Sequence, residues 1–272
     1  MGAERRGPPV PREHGAWGLL LQPYVAAAVL AGEWSWLHAP ALGLALLGFL
    51  LREPLTVVAR HRLVWRRRSP QEQSAWRWAW LELAGIIVCF GLLGRIVPLG
   101  PLLALAAVGG AMSAAAVWMA IRNRQRSVVF QVVSAAGLST TALLSALAAG
   151  AAIPVWAGWL WGVLTAHAAA SILVVHARLR ARAAAGAGAG GTGIAASAAQ
   201  VLQLVAAVAA GWLAAPLLFS ALANAAELWR LRSPQALREP LTRVGYRTLA
   251  AALTHMALAI YVLWPLARGS SE

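Results

Sequence analysis

Long apolar runs, separated by short polar segments that carry most of the charge, dominate the pattern of this chain. Each run approaches the ~20 residues that a helix needs to cross the hydrocarbon core of a bilayer. The pattern predicts membrane spans at Gly15–Gly32, Pro40–Leu51, Trp78–Gly94, Val97–Ala120, Val128–Ala149, Pro154–Val175, Ile194–Leu213, Ala215–Trp229 and Leu249–Leu266. The predicted fold is therefore all-α, a polytopic integral membrane helical bundle of about nine transmembrane helices. A cytoplasmic segment (1–14) precedes the single membrane domain (15–266), and a short tail (267–272) follows it.

The composition agrees with this class of protein. Of the 272 residues, 60% are hydrophobic and 12% are charged, whereas a soluble domain has ~45–50% apolar and ~25% charged residues. A net charge of +14 would indicate a nucleic-acid partner for a soluble protein. Cytoplasmic loops of membrane proteins accumulate positive charge for another reason, their orientation in the membrane. We therefore predict no nucleic-acid partner.

The distribution of Arg predicts the orientation of the bundle. Every basic residue is Arg, and every acidic residue is Glu. If the chain alternates through the predicted spans, all Arg residues except Arg95 and Arg268 fall on one side of the membrane. The positive-inside rule makes that side cytoplasmic. The N-terminus is then inside and the C-terminus outside.

The hexapeptide LREPLT occurs twice, at Leu51–Thr56 and Leu237–Thr242. One interpretation is structural: Pro54 and Pro240 suit the first turn of a helix, with Glu53 and Glu239 near its positive end. The other is functional: two Arg-bearing loops, containing Arg52 and Arg238, face one cytoplasmic cavity and bind phosphate or carboxylate. The sequence leaves both open. Arg60 and His61 follow the first copy and belong to the same candidate site.

Other ionisable residues stand at span ends or inside spans. Arg12, Glu13 and His14 precede the first span, either as solvated residues or at the mouth of the same cavity. His167 and His255 lie near the middle of predicted spans, where ionisable groups usually face a bundle interior or a water-filled cavity. His176 and Arg178 follow the sixth span.

No metal and no cofactor are predicted. His167 and His176 are nine residues apart, ~180° around a helix, so the two cannot hold one ligand together. Cys89 is the single cysteine. The Gly/Ala-rich segment Ala183–Gly193 lacks the Gly-Lys-Ser/Thr ending of a phosphate-binding loop and is predicted to be a flexible linker.

Three motifs give the chain a family resemblance: PREHGAW at the first span, R-E-P after the second span and HARLR after the sixth. It resembles the YwiC-like family, bacterial helical membrane proteins, over nearly its whole length. The resemblance implies a multi-pass protein of the bacterial inner membrane and supplies no catalytic residues.

The predicted topology also resembles, more distantly, that of the UbiA-type intramembrane prenyltransferases. The resemblance implies motifs in loops 2–3 and 6–7, where Asp-rich sequences of that family hold Mg²⁺ on a prenyl diphosphate. This chain contains no Asp, and Glu53, Glu72 and Glu82 do not replace two such motifs. The sequence therefore predicts a UbiA-like bundle without that metal-dependent chemistry.

Three functions remain open, including whether the protein is an enzyme. The first is a UbiA-like enzyme or lipid-binding protein, with His14 or His61 for proton transfer. It would grip an anionic lipid or isoprenoid-like ligand with Arg12, Arg52, Arg60, Arg178 and Arg238. The second is a small-anion or solute transporter, with His167 and His255 on the path. The third is a non-catalytic partner that assembles a membrane complex. The expected partners are the lipid bilayer and an anionic or small-molecule ligand; no oligomeric state follows from the sequence.

Overall fold

A computed structural model describes residues 14–66, 68–150, 152–187 and 194–269. Helices account for nearly all of them. In chain order they are α1 (His14–Ala31), α2 (His38–Ala59), α3 (Pro70–Leu93), α4 (Leu99–Ile121), α5 (Val128–Ser139), α6 (Thr141–Ala149), α7 (Val155–Ala187), α8 (Ile194–Ala210), α9 (Ala214–Arg230), α10 (Pro234–Arg238) and α11 (Leu241–Gly269). No strand occurs in these ranges, so the all-α prediction is confirmed.

The described residues include six helical segments long and apolar enough to cross a membrane. They are His38–Trp65, Pro70–Leu93, Leu99–Ile121, Val128–Ala149, Val155–Ala183 and Thr242–Gly269, with shorter apolar helices at Gly15–Ala31 and Ala196–Ala210. Large apolar side chains also point outward: Val129, Val208 and Tyr261 are 75%, 83% and 78% exposed. Such surfaces suit lipid rather than water. The chain is a multi-pass membrane protein; the predicted span number and orientation stay predictions.

The predicted boundary at the first LREPLT copy is wrong. The helix does not end at Leu51: Arg52, Glu53 and Pro54 lie inside α2, which continues into a π-helical turn, Arg60–Trp65. Neighbouring groups satisfy the backbone around a proline in membrane helices, so such a helix need not stop there. In the same stretch of α2, the hydroxyl of Thr56 donates to the Arg52 carbonyl at 2.7 Å.

The second copy comes closer to the predicted helix start. Arg238 is the last residue of α10, and Pro240 directly precedes α11. The same six letters therefore have two conformations, helix interior and inter-helix turn.

Other boundaries also differ from the prediction: α3 begins at Pro70 rather than Trp78, and α11 begins at Leu241 rather than Leu249. The predicted fifth span, Val128–Ala149, is found as one candidate membrane span, within which α5 and α6 meet at Thr140, whose hydroxyl donates to the Gly137 carbonyl at 2.6 Å. The sixth continues as α7 to Ala187, so the predicted linker begins as helix; residues 188–193 lie outside the described residues.

Among the described residues, the most extensive helix–helix contact joins α2 and α3, which run antiparallel. A Cβ atom added to Gly43 would lie 2.9 Å from Cys89 Sγ, and one added to Gly85 would lie 2.7 Å from Leu47 Cδ1. A glycine on each helix thus faces a larger side chain on the other. Small residues at such positions allow membrane helices to approach closely.

Helix α1 stands between two helix groups. It packs on α5, α6, α7 and α11, while α3 and α4 pack on α2 at one flank and α8 and α9 pack beside α7 at the other. Its hydroxyl-bearing neighbour Thr141 donates to the Leu20 carbonyl at 2.7 Å. This arrangement brings α7, α9, α10 and α11 together, and several buried polar residues lie among them: His167, Arg178, Ser220, Asn224 and His255.

Candidate functional site

Two Arg and two Glu residues form an ionic cluster (Arg178, Glu227, Glu239 and Arg247) where α7, α9 and α11 meet. Arg178 lies 3.4 Å from Glu227 and 3.5 Å from Glu239, measured from its Nη1 and Nη2 atoms to their Oε2 atoms. Arg247 donates to Glu227 Oε1 and Glu239 Oε2, each at 2.8 Å. The side chain of Arg178 is 3% exposed. Two positive and two negative charges therefore compensate each other in a largely buried setting.

Two Arg residues of α7 hold the backbone of the α10 segment in place. Arg178 donates to the Ala236 carbonyl, and Arg182 donates to the Glu239 carbonyl. Because these contacts reach the backbone, the position of α10 depends on side chains of α7.

The environment of Glu239 favours its charged form. Hydrogen bonds from Arg247 lower the pKa of this carboxyl from 4.5 to about 2, and the charges of Arg247, Arg178 and Arg230 act in the same direction. Glu239 is therefore a permanent anion near neutral pH, and its charge is committed to the cluster.

A basic pocket of about 700 Å³ opens beside the cluster, at the end of α9 and around α10. It is lined by Arg230, Arg232, Arg238 and Arg243, together with Trp229, Ser233, Gln235, Ala236, Glu239 and Pro240. The guanidinium of Arg232 stacks over the Trp229 ring at 4.2 Å. Within the described part of the chain, neither Arg238 nor Arg243 has a carboxylate partner. The pocket thus presents excess positive charge.

The first LREPLT copy lies among other helices. The Arg52 guanidinium lies over the Phe49 ring at 4.5 Å and 3.7 Å from Glu53. Farther along, Arg60 donates to the Ala120 carbonyl at 2.9 Å and connects α2 with α4. The contacts of the two copies therefore involve different helices, and their meeting in one cavity stays a prediction.

His61 and its neighbours connect α2 with α3. His61 is buried and contacts Ser69 Oγ at 3.3 Å, and that hydroxyl also accepts from the Glu72 backbone N–H. Arg62 donates to Glu72 Oε1 at 2.8 Å. These bonds fix the turn between the two helices.

A second set of polar residues lies within α7, α8, α9 and α11, away from the helix ends. We call it the histidine cluster (His167, His255, Ser220, Gln203 and Asn224). The two imidazole rings are stacked, with centroids 4.4 Å apart and planes inclined by 16°. His167 Nδ1 lies 2.8 Å from Ser220 Oγ, and Gln203 donates to the same oxygen at 3.0 Å. Both histidines are buried in the bundle, with 6% and 0% of their surface exposed.

The remaining predicted site residues are separate from both clusters. His176 Nε2 lies 2.8 Å from Gln131 Oε1 and so connects α7 with α5. Arg12 and Glu13 lie outside the described residues, and of His14 only the backbone, at the start of α1, is described.

Sequence reasoning passed over Glu227 and Arg247, which complete the ionic cluster. One signal was available: the helical spacing of Ser220, Asn224 and Glu227 places them on one face of α9. A second signal is a repeated heptapeptide pattern, W-R-x-R-S-P-Q, at 65–71 and 229–235. Both copies end at a helix start, where Ser69 and Ser233 are the N-caps of α3 and α10.

The described residues include no group of three or more His, Cys, Asp or Glu side chains placed to hold a metal ion.

The first half of the chain matches a known protein family. A family model described as "YwiC-like protein" matches residues 10–146, which extends from before α1 into α6. We expected the family resemblance over nearly the whole length of the chain, and the family model matches residues 10–146 of it. No match was found among curated proteins, and none among solved structures. The UbiA-like resemblance stays a prediction.

Proposed function

The chain belongs to the YwiC-like family of membrane proteins, and we propose that it binds the head group of an anionic lipid in the basic pocket. The membrane would be the bacterial inner membrane, with the pocket at its cytoplasmic surface. The pocket lies beyond the residues matched by the family model, so the proposal depends on the pocket's own chemistry.

The observation that carries the proposal is the uncompensated charge of Arg238 and Arg243. Glu239 lines the same pocket, but Arg247 and Arg178 already engage its carboxylate. A ligand phosphate would therefore meet guanidinium groups without displacing an acidic side chain. Arg presents N–H groups in a planar fork that matches phosphate oxygens, and such charge-assisted bonds are roughly twice as strong as neutral ones.

The surroundings of the pocket suit a lipid rather than a free anion. Trp229 is 67% exposed at its edge, and Trp is enriched at the boundary between water and lipid. Tyr246 and Leu222, on α11 and α9, are 75% and 67% exposed. Acyl chains of a lipid held at the pocket would lie along such apolar outer faces.

The test compares two double variants with equal loss of charge. Arg238→Ala/Arg243→Ala removes two pocket cations, and Arg124→Ala/Arg126→Ala removes two cations of the α4–α5 turn. The purified proteins are reconstituted in nanodiscs of neutral lipid, and binding of an added anionic phospholipid is titrated by native mass spectrometry.

We expect the pocket variant to bind at least tenfold more weakly than wild type, because hydrogen bonds to charged groups contribute ~1.5–3 kcal/mol each. The turn variant should differ by less than twofold. Equal weakening of both variants would mean that the lipid responds only to overall charge, and the proposal would be wrong.

A further inference from the structure

We propose that the stacked pair His167–His255 binds a proton in the membrane interior, with His255 as the protonated ring. This inference concerns a different part of the bundle from the basic pocket and does not depend on lipid binding there. Both rings lie near the middle of candidate spans, Val155–Ala183 and Thr242–Gly269.

The hydrogen-bond partners of His255 call for two ring N–H groups. Its Nδ1 atom lies 2.9 Å from the Pro216 carbonyl oxygen, and its Nε2 atom lies 3.3 Å from the Val163 carbonyl oxygen. Both partners are acceptors. A neutral imidazole has one N–H and one lone pair, so it would direct that lone pair at an oxygen. An imidazolium ring donates to both carbonyls.

The partners of His167 favour a neutral ring. Ser220 Oγ accepts from Gln203 Nε2 at 3.0 Å, and Asn224 Nδ2 approaches it at 3.5 Å. With its acceptor positions occupied by amide donors, the hydroxyl directs its own hydrogen to His167 Nδ1, 2.8 Å away. The hydrogen-bond network thus assigns the ring proton of His167 to Nε2.

The stack makes the two assignments compatible. A neutral aromatic face attracts a cation held above it, and the attraction is strongest where water is excluded. The ring centroids are 4.4 Å apart, so His167 presents its face to His255 directly. Two charged rings at this distance would repel each other, and the pair therefore takes up one proton. The proton comes from hydronium, which leaves water, and no bond other than N–H forms.

The groups around the pair add no formal charge at this depth. Helix α7 contributes His167 and the Val163 carbonyl; α9 contributes Ser220, Asn224 and the Pro216 carbonyl; α8 contributes Gln203. The contribution of α1 is apolar, since Ala27 and Leu30 share a buried cluster with Ala259 and Leu263 of α11. Among the described residues, the nearest ionic side chains along these helices are those of the ionic cluster.

A polar seam connects the pair with that cluster. On α7, Ser171 and Arg178 share the face of His167, and on α9 Asn224 and Glu227 share the face of Ser220. The two faces meet twice, where Ser171 donates to Asn224 Oδ1 at 3.3 Å and Arg178 pairs with Glu227 at 3.4 Å. Eleven residues of helix from His167 to Arg178 span ~16 Å. The seam gives the proton a polar route from the end of the bundle.

The experiment is ¹⁵N solid-state NMR of the full chain, labelled at histidine and reconstituted in lipid bilayers, from pH 4 to pH 9. Imidazolium and neutral imidazole nitrogens have distinct chemical shifts. We expect His255 to show two protonated nitrogens at the acidic end, while His167 keeps one protonated nitrogen throughout.

Three variants assign and test the pair. His255→Gln should remove the titrating signal, and His61→Gln, in the α2–α3 turn, should leave it in place. His167→Ala should lower the titration midpoint of His255 by about one pH unit, a tenfold loss of proton affinity, because the attraction between the stacked rings is lost. If wild-type His255 retains one protonated nitrogen across the whole pH range, the proposal is overturned, whether or not the variants fold.

Discussion

At the scale of single residues, the ionic cluster distinguishes Arg residues that serve the fold from those that remain available. Arg178 and Arg247 are committed to Glu227 and Glu239, and Arg60 to the Ala120 carbonyl. Arg178 and Arg60 were both predicted to grip a ligand. In the structure they join helices, so an incoming anion would have to compete with existing acceptors. Arg238 has no such partner among the described carboxylates and remains the better candidate.

The lowered pKa of Glu239 gives its carboxylate a stability effect with a defined pH range. Because the pKa falls from 4.5 to about 2 on folding, the unfolded chain binds more protons between these values. The stabilisation is then complete above about pH 4.5 and is lost as the pH falls towards 2.

We therefore expect Glu239→Gln to lower the melting temperature by several degrees at pH 7 and by progressively less from pH 4.5 to pH 3. Thermal unfolding of the detergent-solubilised protein measures this difference. Glu33→Gln, at the far end of α1, is the control and should leave the melting temperature unchanged. A difference for Glu239→Gln that is equal at pH 3 and pH 7 would contradict the assignment.

At the scale of helices, the contact between α2 and α3 depends on glycines placed opposite larger side chains. Gly43 faces Cys89, and four residues farther along α2, Leu47 faces Gly85 of α3. One helical turn separates the two positions on each helix, so the contact has a definite antiparallel register. A side chain larger than hydrogen at Gly43 has to move Cys89 or separate the helices.

Gly43→Leu should lower the unfolding free energy by ~1–3 kcal/mol, the usual cost of overpacking a close contact. Gly91→Leu is the matched control, because Gly91 lies on the same hairpin with nothing within 4 Å of an added Cβ. Adding Cys89→Gly to Gly43→Leu should recover part of the loss. Denaturation in mixed micelles compares the variants; equal losses for the two leucine variants would contradict this register.

At the scale of the whole molecule, the predicted alternation of spans would put the predicted cytoplasmic loops at one end. The chain joins α9 and α11 at this end through the α10 segment, and α1 and α2 at the other end through the turn containing Trp34. The orientation follows from the positive-inside rule alone, so it needs its own test.

Single-cysteine labelling provides that test. In a Cys89→Ser background, Trp34→Cys and Gln235→Cys place thiols at exposed positions at opposite ends of the bundle. An impermeant maleimide should label position 34 from the outside of intact cells and position 235 only in inverted vesicles. Labelling of both from the same side would refute the alternation.

The sequence predicted the features that are local along the chain. Apolar runs located α4 and the end of α3 well, because those helices end where the runs end. The start of α3 was missed, since the helix begins at Pro70, eight residues before the predicted start at Trp78. The end of α2 was missed, since Pro54 was taken as a helix start although a membrane helix accommodates it. The partners of Arg178 lie 49 and 61 residues away along the chain, so their proximity arises from helix packing, which no local pattern encodes.

The central position of α1 has a consequence for the order in which the bundle can form. Its hydrogen bond to Thr141 joins residues 121 positions apart, and its packing against α11 closes a much longer loop. During synthesis, α1 enters the bilayer well before these partners exist. The packing around α1 is therefore incomplete until α11 has been made, and a chain interrupted before α11 would leave α1 without this neighbour.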